Sequence, residues 1–422
     1  MILMHMICTL ISYISGVKTI KLYCVRDLDD WGTEAWERLG YIIGNNTIIQ
    51  ELKLLGRRDL DVGEVFLGLQ LNQHIQKLVF YGIDLRDTVK MNSLAPFLCN
   101  NPVLKKIDLS NCNLNSDGIN ILAEALSNRL RDTLENINLS ENDFRTAHLD
   151  SLTTVLAKCR RLKLLSLNSN GIGEMGCLSI ANLLKSTESS NIGHVDLSGN
   201  AIDSQCAILL AESLTNNTKM KTLQLWGNKS ITAKGWEAML KLVCDSSSIE
   251  AVKTSNHILH NIPTTHRLLV SLLGIDDANL FRASLRMNNR SNKNMAIRQK
   301  LIWTHSRGDL NVGSSTVPAC IMPDIISWFS DDFHDNKANL ILHHDPPLKK
   351  TKEVDSIRLS SVFNIMKSRP EVCQYYISDN ISDQAATILG DATDLERELW
   401  HCLISHELLY VADKQQNINI LK

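Results

Sequence analysis

Apolar residues recur along this chain in one arrangement that is repeated eight times. The template is Leu-x-x-Leu-x-Leu-x-x-Asn-x-Leu, and Ile, Val, Met or Phe also fill the leucine positions. The first apolar position of successive copies falls at residues 49, 75, 104, 134, 162, 192, 220 and 249. Val17, Ile20 and Leu22 fit the start of a ninth, degenerate copy. A fixed period of 26 to 30 residues with an apolar core predicts a repeat solenoid.

Each copy changes its hydrophobic period halfway along. The first half alternates apolar and polar residues, as in Ile107-Asp108-Leu109, which is typical of a short strand with one buried face. The second half places apolar residues at helical spacing, as in Ile119, Leu122 and Leu126. We therefore expect an α/β array of strand–helix units stacked on a shared core. Because strands pack closer together than helices, parallel strands should lie inside the curve and helices outside.

A polar residue interrupts the apolar template where the chain leaves the strand in five copies, whereas Ile83 and Cys112 take its place in two others. Asn142, Asn170, Asn200 and Asn228 occupy this position, and His257 occupies it in the last copy. An asparagine amide carries both hydrogen-bond donors and an acceptor. It is therefore predicted to satisfy backbone groups of the buried turn. His257 is interpreted as a structural substitute rather than as a metal ligand.

The repeats resemble a known class of proteins. The period of 28–30 residues, the long helical half and runs such as Ile107-Asp108-Leu109-Ser110-Asn111 are similar to ribonuclease-inhibitor-like leucine-rich repeats, over roughly residues 17–259. The resemblance implies a curved leucine-rich-repeat horseshoe that binds proteins. This class includes enzyme inhibitors, the sensing halves of nucleotide-binding innate-immune receptors and activators of the Ran GTPase.

Composition narrows the function further. The net charge is −2 and basic residues form no long run, which argues against nucleic acid as a partner. Eleven cysteines are scattered without a CxxC pair, which favours a reducing compartment, cytoplasmic or nuclear. No apolar run is long enough to span a membrane. The apolar start, residues 1–14, fits a signal peptide or the helix of a truncated first repeat, and its lack of positive charge favours the helix.

Searches for catalytic and cofactor motifs return one apparent match. Residues 171–176 fit the GxGxxG dinucleotide fingerprint between a predicted strand and a predicted helix, and Asp196 lies on the next strand. Gly176, however, lies 14 residues after Leu162, as Gly118 lies 14 residues after Leu104, so the repeat itself explains this glycine. We therefore predict a non-enzymatic protein with no catalytic residue, cofactor or metal.

The residues between the strand leucines are expected to point away from the helices and to form the concave face. Its N-terminal end is basic and aromatic, and its middle is small, polar and mildly acidic, with Glu135 and Glu141 adding to the charge. Exposed aromatic residues among small polar ones often become interface hot spots. The alternative is that they are ordinary surface residues. The predicted protein-binding residues are Tyr23, Lys53, Tyr81, Asp108, Asn138, Asn168, Asp196, Trp226 and Lys253.

The repeat pattern stops after His260, which predicts a solenoid over residues 1–260 and a different organisation beyond it. Apolar spacing predicts helices through 261–422, with a polar, proline-containing loop around 331–356. The first of these helices are expected to cap the end of the solenoid. Residues 285–289 and 298–305 look similar to a tail that follows such arrays in diatom leucine-rich-repeat proteins, which implies no activity.

Two functions remain open from the sequence. The first is a non-enzymatic scaffold or adaptor that holds another protein, of unknown identity, on the concave face. The second is a Ran-GTPase-activator-like regulator, in which Arg57 and Arg58 would contact the small GTPase. Such activators typically carry an acidic tail, whereas residues 261–422 are charge-balanced. The oligomeric state is not predicted.

Overall fold

A computed structural model describes residues 18–23, 33–56, 62–127, 133–145, 149–185, 191–290 and 292–306. Strands and helices alternate from Thr19 to Val243, and helices alone follow. Eight strands each occupy the alternating half of a repeat, as the sequence predicts. They are β1 (Thr19–Tyr23), β2 (Glu51–Leu55), β3 (Lys77–Tyr81), β4 (Lys106–Ser110), β5 (Asn136–Asn138), β6 (Leu164–Ser166), β7 (His194–Asp196) and β8 (Thr222–Gln224).

The described helices comprise the helical halves of the repeats and those that follow the last strand. They are α1 (Thr33–Asn45), α2 (Gly63–Leu69), α3 (Thr88–Asn100), α4 (Ser116–Leu126), α5 (Asp150–Leu156), α6 (Glu174–Lys185), α7 (Ser204–Leu214), α8 (Ala233–Val243), α9 (Ile249–Thr254), α10 (His266–Leu273), α11 (Ile275–Arg290) and α12 (Lys293–Ser306).

One parallel sheet contains all eight strands in chain order. Its register aligns equivalent positions of the repeats, so that Leu52 pairs with Leu78 and Leu78 with Ile107. These residues are fully buried and form the core between the sheet and the helices. The predicted α/β repeat solenoid is therefore confirmed.

The chain divides into two compact units. The first comprises Met1–Val243 and Ser255–Arg290, and it holds every described strand. The second comprises Cys244–Thr254 and Ser291–Lys422, and its described helices are α9 and α12. The predicted helices around Leu268 and Leu280 are present as α10 and α11. Helices predicted from Ile325 onward, the loop at 331–356 and the apolar start at 1–14 lie outside the described residues.

The strand-exit asparagines have the predicted role. The side-chain oxygen of Asn142 accepts the backbone N–H groups of Cys112 at 3.0 Å and Leu114 at 2.9 Å. Its amide nitrogen donates to the carbonyl oxygens of Leu109 at 2.9 Å and Leu139 at 2.8 Å. Each such side chain thus joins its own repeat to the preceding one. The other members of this group are Asn170, Asn200 and Asn228.

A second group of asparagines, at the turns that lead into the strands, was not predicted. The amide of Asn72 donates to the carbonyl oxygens of Ile43 at 2.8 Å and Asn46 at 2.9 Å. Its oxygen accepts the N–H groups of His74 and Ile75. An apolar strand-start residue follows three positions later. These strand-start asparagines also include Asn101, Asn217 and Asn256.

The last predicted copy is wrong, because Ile249–Thr254 is the helix α9 and not a strand. The hydroxyl of Ser248 accepts the N–H of Ala251 at 3.0 Å, as a helix N-cap does. Glu250 and Lys253 then form an i, i+3 ion pair of 3.5 Å along the helix. Lys253 therefore does not lie on a strand of the concave face.

The true last repeat begins ten residues after Ile249, at Leu259. Asn256 is its strand-start asparagine, and Asn261 pairs in parallel with Thr222 of β8. His257, which is buried, follows Asn256 and so does not replace a strand-exit asparagine. The helix α9 lengthens this repeat, which explains why a regular period misplaced it.

The pairing with β8 ends at a proline. The N–H of Asn261 donates to the carbonyl oxygen of Lys221 at 3.1 Å, and its own oxygen accepts the N–H of Leu223 at 3.0 Å. Two residues later, Pro263 has no N–H for the next bond of a parallel ladder. Helices α10 and α11 follow, and the rings of Trp236 on α8 and Phe281 on α11 pack edge to face at 6.1 Å.

Candidate protein-binding site on the concave face

The sheet register brings four of the predicted binding residues into one row. The register places four residues at equivalent positions of β2, β4, β5 and β7, namely Lys53, Asp108, Asn138 and Asp196. Their neighbours along the strands, such as Leu52 and Leu54, are buried on the helix side. The alternation of side chains in a strand therefore places the four on the opposite side, the concave face.

A second row lies two residues further along the chain. The parallel ladder continues beyond the strand ends, because the N–H of Leu197 donates to Gln224 at 2.9 Å and the N–H of Gly199 donates to Trp226 at 2.7 Å. The equivalent bond from the N–H of Ser169 to Ser198 is 2.8 Å long. Position by position, this row consists of Tyr81, Ser110, Ser140, Asn168, Ser198 and Trp226.

Three predicted positions are not tested by these contacts. The backbone of Tyr23 belongs to β1, but its side chain lies outside the described part of the structure. Arg57 and Arg58 also lie outside it, so the GTPase-contacting role suggested for them stays a prediction.

Lys53 is half-buried and forms an ion pair of 3.0 Å with Glu51 on its own strand.

A chain of side-chain hydrogen bonds forms the floor of the concave face. Asp108 accepts the hydroxyl of Ser110 at 2.7 Å and the amide of Asn138 at 2.9 Å. Asn138 in turn accepts the hydroxyl of Ser140 at 2.6 Å, and that hydroxyl accepts the amide of Asn168 at 2.8 Å. These bonds cross from β4 to the turn after β6, so the floor is held in one arrangement.

Asp108 belongs to this floor more than to the accessible surface. Its exposed fraction is only 8%, and Lys106 lies 3.4 Å from its second oxygen. The carboxylate thus orders its neighbours, and it offers little area to another protein. Its interpretation as a contact residue therefore has less support than that of Asp196, which is half-buried.

Two exposed aromatic side chains lie at opposite ends of this floor. Trp226 is 64% exposed and Tyr81 is 41% exposed, whereas the row between them contains only serine and asparagine. The two residues belong to the third and eighth strand repeats. At about 4.8 Å per strand, they lie roughly 24 Å apart along the sheet. Exposed aromatic side chains and a small polar surface between them are thus present, and their role in binding stays a prediction.

Glu141 joins the Tyr81 end of the site through a contact that the sequence did not predict. The hydroxyl of Tyr81 donates to a carboxylate oxygen of Glu141 at 3.4 Å, across the intervening repeat of β4. Glu141 has a φ of 59°, a left-handed conformation that places this exposed residue in the turn after β5. The acidity of Glu141 was visible in the sequence, but its reach to Tyr81 depends on the stacking of repeats.

Electrostatic pairing differs among the acidic groups of this region. Lys163 hydrogen-bonds to Glu135 at 2.9 Å and thereby lowers the pKa of that carboxyl. Within the described residues, no basic side chain forms an ion pair with Glu141 or Asp196. These two carboxylates therefore contribute negative charge to the concave face that no ion pair among the described residues neutralises.

The residues of the GxGxxG match belong to an ordinary repeat. Gly171 has a φ of 67° in the turn after β6, and the helix α6 begins at Glu174. The turn before α6 is tied to the next repeat through Asn200, which accepts the N–H of Ile172 at 3.0 Å.

In the described parts of the chain, no helix combines the length and apolar character needed to cross a membrane.

Comparison with known proteins supports the repeat architecture. No protein-family model matches the chain. It is 31% identical over 163 residues to the NACHT, LRR and PYD domains-containing protein 9 of Bos taurus, covering 39% of this chain and 16% of that protein. Protein 5 of the same series is 27% identical over 217 residues in Bos taurus, covering 51% of this chain and 19% of that protein. Its counterpart in Homo sapiens is 26% identical over 170 residues, covering 39% of this chain and 14% of that protein.

The chain therefore spans less than a fifth of the length of these relatives. Their names include LRR, the leucine-rich repeat, which agrees with the parallel sheet and flanking helices of this structure. The chain is a leucine-rich-repeat solenoid, a class of protein that presents an extended surface to binding partners.

Proposed function

We propose that this protein is a non-enzymatic scaffold or adaptor of the ribonuclease-inhibitor-like type, which holds another protein on its concave face. The observation that carries the proposal is the exposure of Trp226, 64%, at the end of an ordered polar floor. An indole in this position offers a large, rigid contact area at little cost in side-chain entropy.

The floor supports this function through its small side chains. Ser110 and Ser140 are buried and project little, so the backbone of a partner can approach the sheet between Tyr81 and Trp226. The hydrogen bonds among Asp108, Asn138 and Ser140 hold the floor in place before a partner arrives. A surface that is ordered beforehand loses less conformational entropy on binding.

The proposed compartment is the cytoplasm or nucleus. Six cysteines in the described residues are thiols rather than disulfides, and five of them are buried. Cys112 is fully buried among the strands, and burial raises the pKa of its thiol to about 12, so it stays a neutral thiol at physiological pH. Buried cysteines that form no disulfide support a reducing environment.

The proposal is tested by quantitative capture of partners from a native lysate with the full chain. One variant combines Tyr81→Ala with Trp226→Ala. Its matched control is Tyr41→Ala with Val89→Ala, because Tyr41 on α1 and Val89 on α3 are exposed apolar residues of the helices. We expect mass spectrometry to identify a partner that the concave-face variant loses and the control retains. Retention of the same partners by both variants contradicts the proposed site.

A further inference from the structure

We propose that the concave face recognises arginine side chains of its partner, with one guanidinium group held by Asp196 and Trp226. This inference rests on the proposed function, because it names the chemistry of the protein that the same face would bind. The occupant is an extended, basic segment of a partner protein.

The first step of the argument is the placement of Asp196 relative to Trp226. Asp196 pairs with Gln224 in the register of β7 and β8, and Trp226 lies two residues beyond Gln224. The ladder bond from Gly199 to Trp226 shows that the strand-like course continues to this residue. Side chains two residues apart on a strand share a face. The carboxylate and the indole are therefore diagonal neighbours on the concave face.

The second step is the hydrogen bonding of the Asp196 carboxylate. One oxygen accepts the N–H of Ser198 at 2.9 Å, which fixes the orientation of the group. The other oxygen has only a long contact of 3.5 Å with the amide of Asn168. A carboxylate oxygen accepts more than one hydrogen bond, so Asp196 retains capacity for a charged donor from a partner.

Arginine fits this pair better than the other basic side chain. A guanidinium group is planar, so its N–H groups can bind a carboxylate while its face stacks on an aromatic ring. Lysine carries a compact, strongly hydrated charge and cannot make the two contacts with one planar group. The exposure of Trp226 leaves its ring available for such stacking.

The same combination recurs at the other end of the floor. Tyr81 contacts one oxygen of Glu141 at 3.4 Å, and both side chains are exposed. Glu141 is two strands away from Asp196 and three residues further along the strand direction, so the two residues are about 14 Å apart. An extended segment covers this distance in about four residues. Arginines two or four residues apart would therefore place both side chains on the sheet side.

Charge complementarity selects a basic occupant. From β4 to the turn after β8, the carboxylates of this region are those of Asp108, Glu135, Glu141 and Asp196. Lys106 is paired with Asp108 and Lys163 with Glu135, whereas Glu141 and Asp196 form no ion pair within the described residues. An acidic segment would meet repulsion here, whereas a basic one would gain an attraction that weakens with added salt.

The test uses the full chain and a short fluorescent peptide of alternating arginine and glycine, with binding measured by fluorescence anisotropy. Peptides with lysine or glutamate in place of arginine are the comparison. The protein variant Asp196→Asn removes the charge, and Glu212→Gln on the exposed surface of α7 is its control for net charge. A second variant, Trp226→Ala, changes a side chain that is largely outside the core.

We expect the arginine peptide to bind more tightly than the lysine peptide, and the glutamate peptide not to bind. Asp196→Asn should weaken binding of the arginine peptide roughly tenfold, since it removes a hydrogen bond to a charged group. Trp226→Ala should weaken it about threefold or more through the lost cation–π contact. Glu212→Gln should leave the affinity unchanged.

Equal affinities of Asp196→Asn and Glu212→Gln, with Trp226→Ala also unchanged, would overturn the inference. So would equal binding of the arginine and glutamate peptides. The proposed function has a separate outcome, because partner capture that depends on Tyr81 and Trp226 would persist without any arginine preference. Loss of that dependence, in contrast, would remove the support for both.

Discussion

Gly44 on α1 and Gly68 on α2 stand so close that a Cβ atom added to Gly44 would overlap the carbonyl oxygen of Gly68. A Cβ atom added to Gly40, one helical turn earlier on α1, would likewise lie only 2.8 Å from the Cα atom of Val65. The two helices thus touch through their backbones, with no side chains between them. No other pair of adjacent repeat helices in the described chain is joined by glycines of both partners.

Replacing Gly68 with alanine is therefore expected to destabilise the first unit. Alanine ordinarily favours a helix over glycine, but here the added methyl group has no space between the backbones. We expect a loss of roughly 1–3 kcal/mol in the free energy of unfolding, as for other overpacked contacts. The measurement is the urea midpoint by circular dichroism. Gly173→Ala is the control, because a Cβ atom at Gly173 meets no atom within 4 Å.

Replacing Asn200 with alanine should be more damaging than replacing any exposed asparagine. Its oxygen accepts the N–H groups of Asn170 and Ile172, and its amide donates to the carbonyl oxygens of Leu167 and Leu197. Each buried backbone group left without a partner costs about 1–3 kcal/mol. We therefore expect a loss of at least about 3 kcal/mol in the free energy of unfolding, measured by urea denaturation.

The control for this substitution is Asn191→Ala. Asn191 is exposed and makes one hydrogen bond, of 2.6 Å, to the carbonyl oxygen of Arg160. Its replacement should shift the unfolding midpoint only slightly, because water can satisfy the released carbonyl. Similar midpoints for the two variants would show that the strand-exit asparagines do not join the repeats as inferred from their contacts.

The helix α7 is expected to show a pH-dependent N-cap. Asp203 accepts the N–H of Cys206 at 2.8 Å, and this hydrogen bond lowers the pKa of the Asp203 carboxyl. Because the folded pKa lies below the unfolded value, the stabilisation is present above about pH 4 and is lost as the pH falls through the folded pKa. Asp203→Ala should cost about 1 kcal/mol near neutral pH and less in acid, measured by thermal unfolding.

Asn115→Ala is the matched comparison for this cap. Asn115 accepts the N–H of Gly118 at 3.0 Å at the start of α4, but it carries no ionisable group. Its replacement should cost a similar amount at every pH. An equally constant cost for Asp203→Ala would contradict the titration expected for that carboxyl.

Lys300 is expected to make the second unit more stable in alkaline solution. Burial lowers its pKa from 10.5 to about 7, against an opposing electrostatic effect of Cys244. Below about pH 7, folded and unfolded chains both hold the proton, so stability does not change with pH through this group. Between about 7 and 10.5 the unfolded chain binds more protons, so stability rises with pH.

Lys300→Met should remove this dependence and raise stability near pH 7 by several kcal/mol, about 1.4 for each unit of pKa shift. Hydrogen exchange of peptides that cover Lys293–Ser306, compared between proteins at each pH, measures the effect locally. Lys293→Met, at the exposed start of α12, is the control. The protection of α12 in the wild-type protein is expressed relative to that in Lys300→Met. If this relative protection is the same at pH 7 and pH 10, Lys300 is not buried in solution.

The sequence predicts the repeats well wherever one residue type has one structural role. The spacing of Leu162, Leu165 and Leu167 defines a strand, and Asn170 follows at the turn, so both appear where expected. Ile249 and Val252 show the limit of this reasoning. Their spacing fits the repeat template and a helix equally well, and the Ser248 cap favours the helix.

A second signal in the sequence would have corrected the last repeat. The strand-start asparagines precede an apolar residue by three positions, as Asn217 precedes Met220 and Asn256 precedes Leu259. Other features were beyond the sequence, because they depend on how neighbouring repeats pack. The contact of Tyr81 with Glu141 spans two repeats, and the Gly44–Gly68 approach depends on the crossing of two helices.

The proline that follows Asn261 has a consequence for self-association. A parallel sheet built by repetition has no geometric reason to stop, and a bare strand at its end can recruit a strand from another copy and grow into a fibre. Pro263 lacks the N–H that would extend the pairing toward β8, so the last strand is limited to the bridge between Asn261 and Thr222. So short an edge offers few backbone groups to another copy, and growth at this edge of the sheet is thus discouraged.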